Sequence, residues 1–184
     1  MLVAAIAATG LFLMKRDMVE TATGFGGGTY NLVDQRGDPV DQTMLVGHPS
    51  LLFFGYTHCP DVCPTTMAEM YVWFQTLGDD AADLRAYFVS VDPERDTPEI
   101  LDQYVSWVSN RITGITGTPE EIDKIRQAWR VVADRVPGSG GDYTINHTAS
   151  VYLVDSKGQF EGTISYGEDA KSAVEKIRRL VAKG

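Results

Sequence analysis

A chain of 184 residues, of which 43% are hydrophobic, is long enough to form one domain with a sizeable packed core. Its formal net charge of −9, from 16 basic and 25 acidic residues, argues against binding of nucleic acid, which needs clustered positive charge. The two cysteines stand four positions apart in one motif, so none is left for a separate structural disulfide. The composition therefore predicts a single domain that does not bind nucleic acid.

The N-terminal segment differs from the rest of the chain. Residues 1–14 carry no charge, but a run of this length is too short to cross a bilayer, which takes about 20 residues. A buried helix is the alternative, although the Gly-rich stretch that follows separates the run from the remainder. We expect residues 1–16 to be a truncated membrane anchor or signal-like segment, 17–28 a Gly-rich linker and 29–184 the folded domain.

The domain begins with a strand–turn–helix pattern that contains both cysteines. A β-hairpin is predicted over residues 30–40, with its turn at Gly37. The continuous apolar run Ser50–Tyr56 predicts a strand that is buried on both faces. Apolar residues at helical spacing predict a helix over 64–77, which Gly78 ends. A cysteine at the start of such a helix lies at the positive end of the helix dipole, which favours the thiolate.

The middle of the chain continues the alternation of strands and helices. Strands are predicted over 84–91 and 112–115. Threonine followed by proline and glutamate begins one helix at Thr97, which runs to about Ser109, and another at Thr118. The side chains expected to face inward are Ile100, Leu101, Tyr104, Trp107 and Val108 in the first helix, and Ile122, Ile125, Trp129 and Val132 in the second.

The last part of the chain predicts a loop, two strands and a helix. Residues 137–142 (PGSGGD) have the composition of a mobile loop. Strands over 149–154 and 159–165 flank a turn, and together they form an expected hairpin. An amphipathic helix over 169–182 closes the chain.

This order of elements predicts an α/β, thioredoxin-like fold with an N-terminal β-hairpin extension. Strands 50–56 and 84–91 would be parallel neighbours. In open α/β sheets, ligands bind beyond the carboxyl ends of such strands. Strand 149–154 would run antiparallel to them, so its beginning would meet the same edge of the sheet. The chemically active residues expected at this edge are Cys59, Cys63, Asp92 and His147.

Two thiols and an imidazole suit a copper ion, because thiolate and imidazole bind Cu(I) and accept Cu(II) with one further ligand. Cys59 and Cys63 are spaced i, i+4, which would place both sulfurs on one face if the motif is helical. Three ligands are too few for a closed structural zinc site, although His58 or Asp92 could supply a fourth. Asp92 could instead orient a ligand or tune the thiols, or begin the turn before Pro93.

The same two thiols are also capable of thiol–disulfide exchange, with Cys59 as the attacking thiol and Cys63 as the resolving thiol. Exchange requires no partner histidine, so the presence of His147 favours metal binding over a purely redox role. A peroxidase is a weaker third interpretation, which the cysteine spacing leaves open.

Four segments of the domain carry a more specific pattern. They are residues 32–37 (LVDQRG), 54–66 (FGYTHCPDVCPTT), 90–98 (SVDPERDTP) and 146–155 (NHTASVYLVD), of which the middle two are highly specific. In these segments the chain resembles the Sco/SenC family of copper chaperones for cytochrome c oxidase. The resemblance extends from Gly28 to the C-terminus, and the copper motif shows no departure from the family pattern.

The resemblance implies a thioredoxin fold, a membrane tether and copper held by residues that correspond to Cys59, Cys63 and His147. It further implies that the protein delivers copper to, or reduces the thiols of, the dinuclear CuA site in cytochrome c oxidase subunit II or a similar cuproprotein. Other copper carriers and thiol reductants are further candidate partners. The expected location is a membrane-anchored domain that faces the periplasm or the mitochondrial intermembrane space, and thiol–disulfide reductase activity stays open.

Overall fold

One large sheet and one separate hairpin form the framework of the computed structural model, which describes residues 25–183. The strands of this part of the chain are β1 (Asn31–Asp34), β2 (Pro39–Asp41), β3 (Ser50–Gly55), β4 (Arg85–Ser90), β5 (Ile112–Thr116), β6 (Ala133–Pro137), β7 (Tyr143–His147), β8 (Val151–Val154) and β9 (Phe160–Ile164). Its α-helices are α1 (Val62–Leu77), α2 (Pro98–Val108), α3 (Pro119–Ala128) and α4 (Ala170–Lys183).

The large sheet has the order β2-β1-β5-β4-β3-β8-β9. Strands β3, β4 and β5 are parallel, with α1 and α2 as the connections between them. Strand β8 runs antiparallel to β3, and Val151 at its start lies opposite Phe53 near the end of β3. The hairpin β1–β2 joins the other side of the sheet through β5. The prediction of a thioredoxin-like α/β fold with an N-terminal hairpin is therefore confirmed.

The apolar run of β3 forms the centre of the core. All six of its residues are buried, as expected for a strand with neighbours on both edges and cover on both faces. Helix α1 packs one face against the hydrophobic core, and the buried residues of this face form a stripe at helical spacing. The buried residues of this stripe are Cys63, Thr66, Met67, Met70, Trp73, Phe74 and Leu77. Because Cys63 belongs to the stripe, the packing of α1 fixes the position of this sulfur.

The predicted helix starts agree with the structure to within two residues. Thr97 Oγ1 accepts a hydrogen bond from the Ile100 amide at 3.4 Å, and Thr118 caps α3 in the same way. Helix α1 begins at Val62, before the predicted start at Pro64. Cys63 consequently lies in the first turn of the helix rather than ahead of it.

The predicted helix over 118–132 is too long. Helix α3 ends at Ala128, because Trp129 leaves helical geometry and Arg130 has a φ of 51°. Beyond this point the chain forms β6, which pairs with β7 across the loop that composition suggested. Val132 therefore lies outside the helix and is exposed, so its predicted inward orientation is wrong.

Helix α2 buries a narrower face than its sequence suggests. Leu101 and Val105 are buried, but Trp107 is 83% exposed and Ile100 is 37% exposed. The predictions that Trp107 and Ile100 face inward are therefore wrong. A helix that covers one strand needs only a stripe of apolar residues, and α2 packs mainly on β5.

The expected anchor, residues 1–16, and most of the expected linker lie outside the described residues. Phe25, the first described residue, packs its ring against Trp129, Tyr152 and Phe160. Among residues 25–183, no helix combines the length and the apolar character that crossing a membrane requires.

Candidate metal centre

The turn between β3 and α1 presents the two cysteines in different environments. Cys59 precedes the helix and is partly exposed, whereas Cys63 in the first helical turn is fully buried. Gly55, the last residue of β3, allows Cys63 to come this close to the strand. A Cβ atom at Gly55 would lie 2.8 Å from the Cys63 Sγ atom and 2.8 Å from the Phe88 ring. The backbone of β3 therefore forms one wall of the thiol site.

His147 completes a group of three ligands with the two cysteines. One ligand atom from each of Cys59, Cys63 and His147 lies within 4.8 Å of the other two. The closest measured approach joins Cys63 Sγ and His147 Nε2 at 3.3 Å. Within residues 25–183 this is the only Cys/His/Asp/Glu group of three or more with metal-binding spacing. Three of the four residues that the sequence places at one sheet edge are thus brought together.

The orientation of His147 leaves one ring nitrogen available to the thiols. Its Nδ1 atom lies 3.0 Å from the Thr148 carbonyl oxygen, which accepts a hydrogen bond and so places the ring proton on Nδ1. The Nε2 lone pair then faces Cys63. Phe53 and Tyr56 meet the imidazole at 66° and 88°, with ring centroids 6.1 and 5.7 Å away. These aromatic contacts restrict rotation of the ring.

The two thiols share one proton unequally. A hydrogen bond from the Cys63 thiol lowers the pKa of Cys59 to about 3, with further support from the amides of Asp61 and Cys63. The Cys63 N–H group, in the first turn of α1, lies 3.4 Å from the Cys59 sulfur. The neighbouring thiolate and burial raise the pKa of Cys63. At neutral pH, Cys59 is therefore the thiolate and Cys63 the thiol.

The β6–β7 hairpin, which carries His147, is attached to the domain beside the cysteine turn. The Ile145 amide donates a hydrogen bond to the Tyr56 hydroxyl oxygen at 3.1 Å. Tyr56 lies immediately after β3 and also contacts the His147 ring. One side chain of the cysteine turn therefore positions both the hairpin backbone and the histidine.

A buried carboxylate provides the second attachment of the hairpin. The Tyr143 hydroxyl donates to Asp92 Oδ1 at 2.7 Å, and Arg95 forms an ion pair with Asp92 Oδ2. Arg95 also donates to the Tyr143 carbonyl oxygen at 3.2 Å, and its guanidinium lies 3.7 Å from the Tyr143 ring centroid. Asp92 thus contacts none of the three ligands directly. Its contacts fix the strand from which His147 projects.

Asp96 fixes the other side of the cysteine turn. Its buried carboxylate accepts hydrogen bonds from the Thr57 hydroxyl at 2.7 Å and from the Ser90 hydroxyl at 2.6 Å. Burial raises the pKa of Asp96 above its ordinary value. Sequence reasoning missed this role, since an aspartate before Thr97-Pro98 resembles an ordinary helix start. Its place in the segment 90–98 was the only indication.

The candidate fourth ligands for zinc do not join the group. His58 is exposed, and its Nδ1 atom lies 3.1 Å from the Thr57 hydroxyl. Asp92 is occupied by Tyr143 and Arg95. The three ligands that do converge are the soft thiols and an imidazole, which suit copper better than a closed structural zinc site.

The fold and the site together define a thioredoxin-like protein in which two cysteines and a histidine converge beyond the parallel strands. The sequence profile of the SCO1/SenC family matches residues 19–182, and the chain belongs to that family. "Protein SCO2, mitochondrial" of Saccharomyces cerevisiae is 35% identical over 158 residues, which cover 84% of this chain and 52% of that protein. The chain thus spans about half the length of this curated relative.

Solved structures with the same architecture include two that carry copper. Bradyrhizobium japonicum ScoI with copper bound is 43% identical, with a TM-score of 0.77, and the match covers 84% of this chain and 98% of that one. Yeast Sco1 with copper bound is 32% identical, with a TM-score of 0.77 and coverage of 86% and 89%. These similarities support the SCO1/SenC assignment at the level of the fold as well as the sequence.

Proposed function

We propose that this chain is a copper metallochaperone that binds one copper ion through Cys59, Cys63 and His147. The observation that carries the proposal is the convergence of three soft ligand atoms within 4.8 Å of one another. Two family members with copper bound add support, because both are more than 30% identical to this chain. The recipient in this proposal is the CuA site of cytochrome c oxidase subunit II or a similar cuproprotein.

The site contributes an unequal set of ligands to its copper cargo. Cys59 provides a thiolate that is already ionised, and His147 provides the Nε2 lone pair. Cys63 must release its proton on binding, so loading delivers one proton to solvent. Oxidation of the thiols to a disulfide removes both sulfur ligands, and the redox state therefore controls loading. Cys59 is the more exposed sulfur and is the ligand that a recipient reaches first.

Anaerobic copper titration of the reduced protein tests the three-ligand site. We expect a stoichiometry of one copper per chain, which the variants Cys59→Ser and Cys63→Ser lose. His147→Ala should weaken binding by about 10- to 100-fold, since it removes one of the three ligands. His48→Ala, before β3 at the opposite end of the sheet, is the matched control and should titrate like the wild type. Unchanged affinity and spectrum in His147→Ala would contradict the three-ligand site.

The unequal thiols favour a second candidate function, reduction of a disulfide in the recipient. The partly exposed Cys59 thiolate attacks a recipient disulfide, and one recipient sulfur leaves as a thiolate. The Cys63 thiol then loses its proton to solvent and attacks the Cys59 sulfur of the mixed disulfide. The recipient leaves with two thiols, and this chain is oxidised by two electrons to the Cys59–Cys63 disulfide.

The two functions differ in the residues that they require. Reduction of an oxidised CuA-domain disulfide needs both cysteines but no imidazole ligand. We therefore expect a reductase to retain most of its rate in His147→Ala, whereas a chaperone loses copper transfer. Fast reduction with negligible copper transfer by the wild type would favour the reductase. A negligible exchange rate together with tight copper binding would reject it.

We further infer that the domain is tethered to a membrane and faces the periplasm or the intermembrane space. The uncharged residues 1–14 support a tether, and mitochondrial relatives support this compartment. We expect the full chain to stay with the membrane fraction after alkaline carbonate extraction. Release of the chain into the supernatant would contradict an inserted anchor.

A further inference from the structure

Helix α4 carries a positive charge that contrasts with the rest of the protein. It contains five of the 16 basic residues of the chain but only one of the 25 acidic residues. The chain as a whole has a net charge of −9, whereas the side chains of α4 sum to a positive charge. Such a separation of charge predicts attraction between this helix and an anionic surface.

Three of the basic side chains on α4 form no ion pair among the described residues, although Glu175 lies on the same helix. Lys176 pairs with Glu168 at 2.7 Å, and Lys183 pairs with Glu161. Within residues 25–183, by contrast, Lys171, Arg178 and Arg179 form no ion pair. All three are exposed, so their charges are available to a ligand outside the domain.

Apolar side chains lie next to these charges. Val72 on α1 is 52% exposed and borders α4. A groove of about 250 Å³ between α1 and α4 is lined by Val72 and Val174 together with Lys171, Arg178 and the acidic Glu175, so its net charge is positive. A surface that combines free basic groups with exposed apolar groups is typical of proteins that lie on a lipid headgroup layer.

The chain enters the domain at the edge strand β9, which α4 covers on the opposite face of the sheet. Phe25 packs on Phe160 of β9 with ring centroids 4.5 Å apart, and the next residue of β9, Glu161, pairs with Lys183 of α4. Residues 15–24 can span at most about 35 Å between the apolar run and Phe25. A membrane that holds residues 1–14 would therefore lie within reach of α4.

We propose that α4 and the adjacent surface of α1 bind anionic phospholipid headgroups, with Lys171, Arg178 and Arg179 as the phosphate-binding groups. The proposal rests on the membrane tether proposed above, because the tether brings the bilayer within reach of α4. Docking on this face leaves the copper site free, because the pocket beside the site is lined by Tyr56, 59–62 and 144–147. None of these residues belongs to α4 or to the groove. The domain would thus present Cys59 and His147 to a recipient while it rests on the bilayer.

Lysine acetylation of the full chain in lipid nanodiscs tests this docking. The discs contain phosphatidylcholine alone or phosphatidylcholine with phosphatidylglycerol, and mass spectrometry gives the rate at each lysine. We expect Lys171 to react about fivefold more slowly in the anionic discs, whereas Lys124 on α3 reacts equally in both. Arg178→Glu/Arg179→Glu should abolish the difference at Lys171. The charge-matched control Arg85→Glu/Lys124→Glu should keep it.

The outcomes separate the docking surface from the tether. A chain that joins both kinds of disc with equal Lys171 rates overturns the docking and leaves the tether intact. Protection of Lys171 that persists in Arg178→Glu/Arg179→Glu also overturns it, since another surface then binds the lipid. A chain that joins only anionic discs, with Lys171 protected, supports the docking and contradicts the tether. Failure to join either disc overturns both.

Discussion

At the scale of single residues, the chemistry of the site depends on where one proton lies. Cys59 and Cys63 are the same side chain four positions apart, yet the pKa of one is lowered and that of the other is raised. The cause is position: Cys59 meets the amides at the start of α1, and Cys63 is buried beneath it. The same asymmetry serves either copper loading or disulfide exchange.

Alkylation kinetics should reveal this asymmetry. Because the pKa of Cys59 is about 3, its thiolate is complete at neutral pH, and we expect iodoacetamide to modify it at a nearly constant rate from about pH 5 to about pH 8. Cys63 should stay unmodified in the folded protein. Mass spectrometry after short exposures measures both rates. The unfolded protein is the control, where both rates should rise about tenfold per pH unit, and the same rise in the folded protein would contradict a stabilised thiolate.

Gly55 is the residue at which the site tolerates the least change. A methyl group there would overlap both the Cys63 sulfur and Phe88, so we expect Gly55→Ala to destabilise the protein by about 1–3 kcal/mol. We also expect weaker copper binding, because the sulfur must move. Urea unfolding and copper titration measure the two effects. Gly114→Ala on β5, where the new Cβ meets Leu101, is the control. Equal losses of copper affinity in both variants would contradict displacement of the Cys63 sulfur as the cause.

At the scale of elements, the β6–β7 hairpin turns a thiol pair into a three-ligand site. It is separate from the large sheet and holds its position through Tyr56, Asp92 and Arg95. The hairpin buries only Ile145 fully in the core, so polar contacts carry much of its attachment. Its order should therefore respond to the loss of a single hydrogen bond.

Tyr143→Phe removes one such bond and keeps the ring. The buried Asp92 carboxylate then loses a donor, which costs about 1 kcal/mol or more. We expect faster amide exchange over 143–147 and copper binding weakened by about fivefold. Hydrogen-exchange mass spectrometry and copper titration provide the readouts. Tyr166→Phe, at an exposed tyrosine, should change neither quantity, and a Tyr143→Phe protein with wild-type exchange would exclude the anchoring role.

The connection between β9 and α4 contains a second polar cluster, centred on the Glu168 carboxylate. The stability that this cluster contributes depends on pH. Hydrogen bonds from Lys176, Ser172 and the Ser165 amide hold the pKa of Glu168 at about 2, below its ordinary 4.5. Since the folded state lowers this pKa, the stabilisation is complete above about pH 4.5 and is lost as the pH falls towards about 2. Thermal unfolding should show Glu168→Gln to be less stable than the wild type at pH 7. The two midpoints should converge near pH 2; a constant difference would exclude the carboxylate as its source.

At the scale of the whole molecule, the sequence predicts what depends on periodicity and misses what depends on contacts between distant segments. The buried run of β3, the capped starts of α2 and α3, and the shared edge of Cys59 and His147 all follow from local pattern and chain order. The end of α3 does not, because Trp129 is apolar at helical spacing and gives no sign that the helix has ended. Strand β6 reads ADRVP and has exposed residues at four of its five positions, so it lacks the alternation that would mark it.

The start of the domain is another feature that depends on a contact between distant segments, here the contact of Phe25 with the sheet. Phe25 falls in the expected linker, yet its ring contacts Trp129, Tyr152 and Phe160, and the adjacent Gly26 amide donates to the Ala128 carbonyl oxygen at 2.8 Å. We expect Phe25→Ala to lower the free energy of unfolding by about 1–3 kcal/mol, since the ring is partly buried. Copper affinity should not change, because Phe160 lies at the end of the sheet away from Cys63.

A double-mutant cycle decides whether this contact couples the N-terminal segment to the sheet. Urea unfolding of Phe25→Ala, Phe160→Ala and the double variant should give a coupling energy of about 0.5–1.5 kcal/mol, as for other aromatic pairs. Such a value would place the start of the cooperative domain at or before Phe25. A coupling near zero would return residues 25–28 to the linker. The geometry of the lipid docking depends on the result, because only a fixed Phe25 keeps the tether at the β9 edge of the sheet, next to which α4 packs.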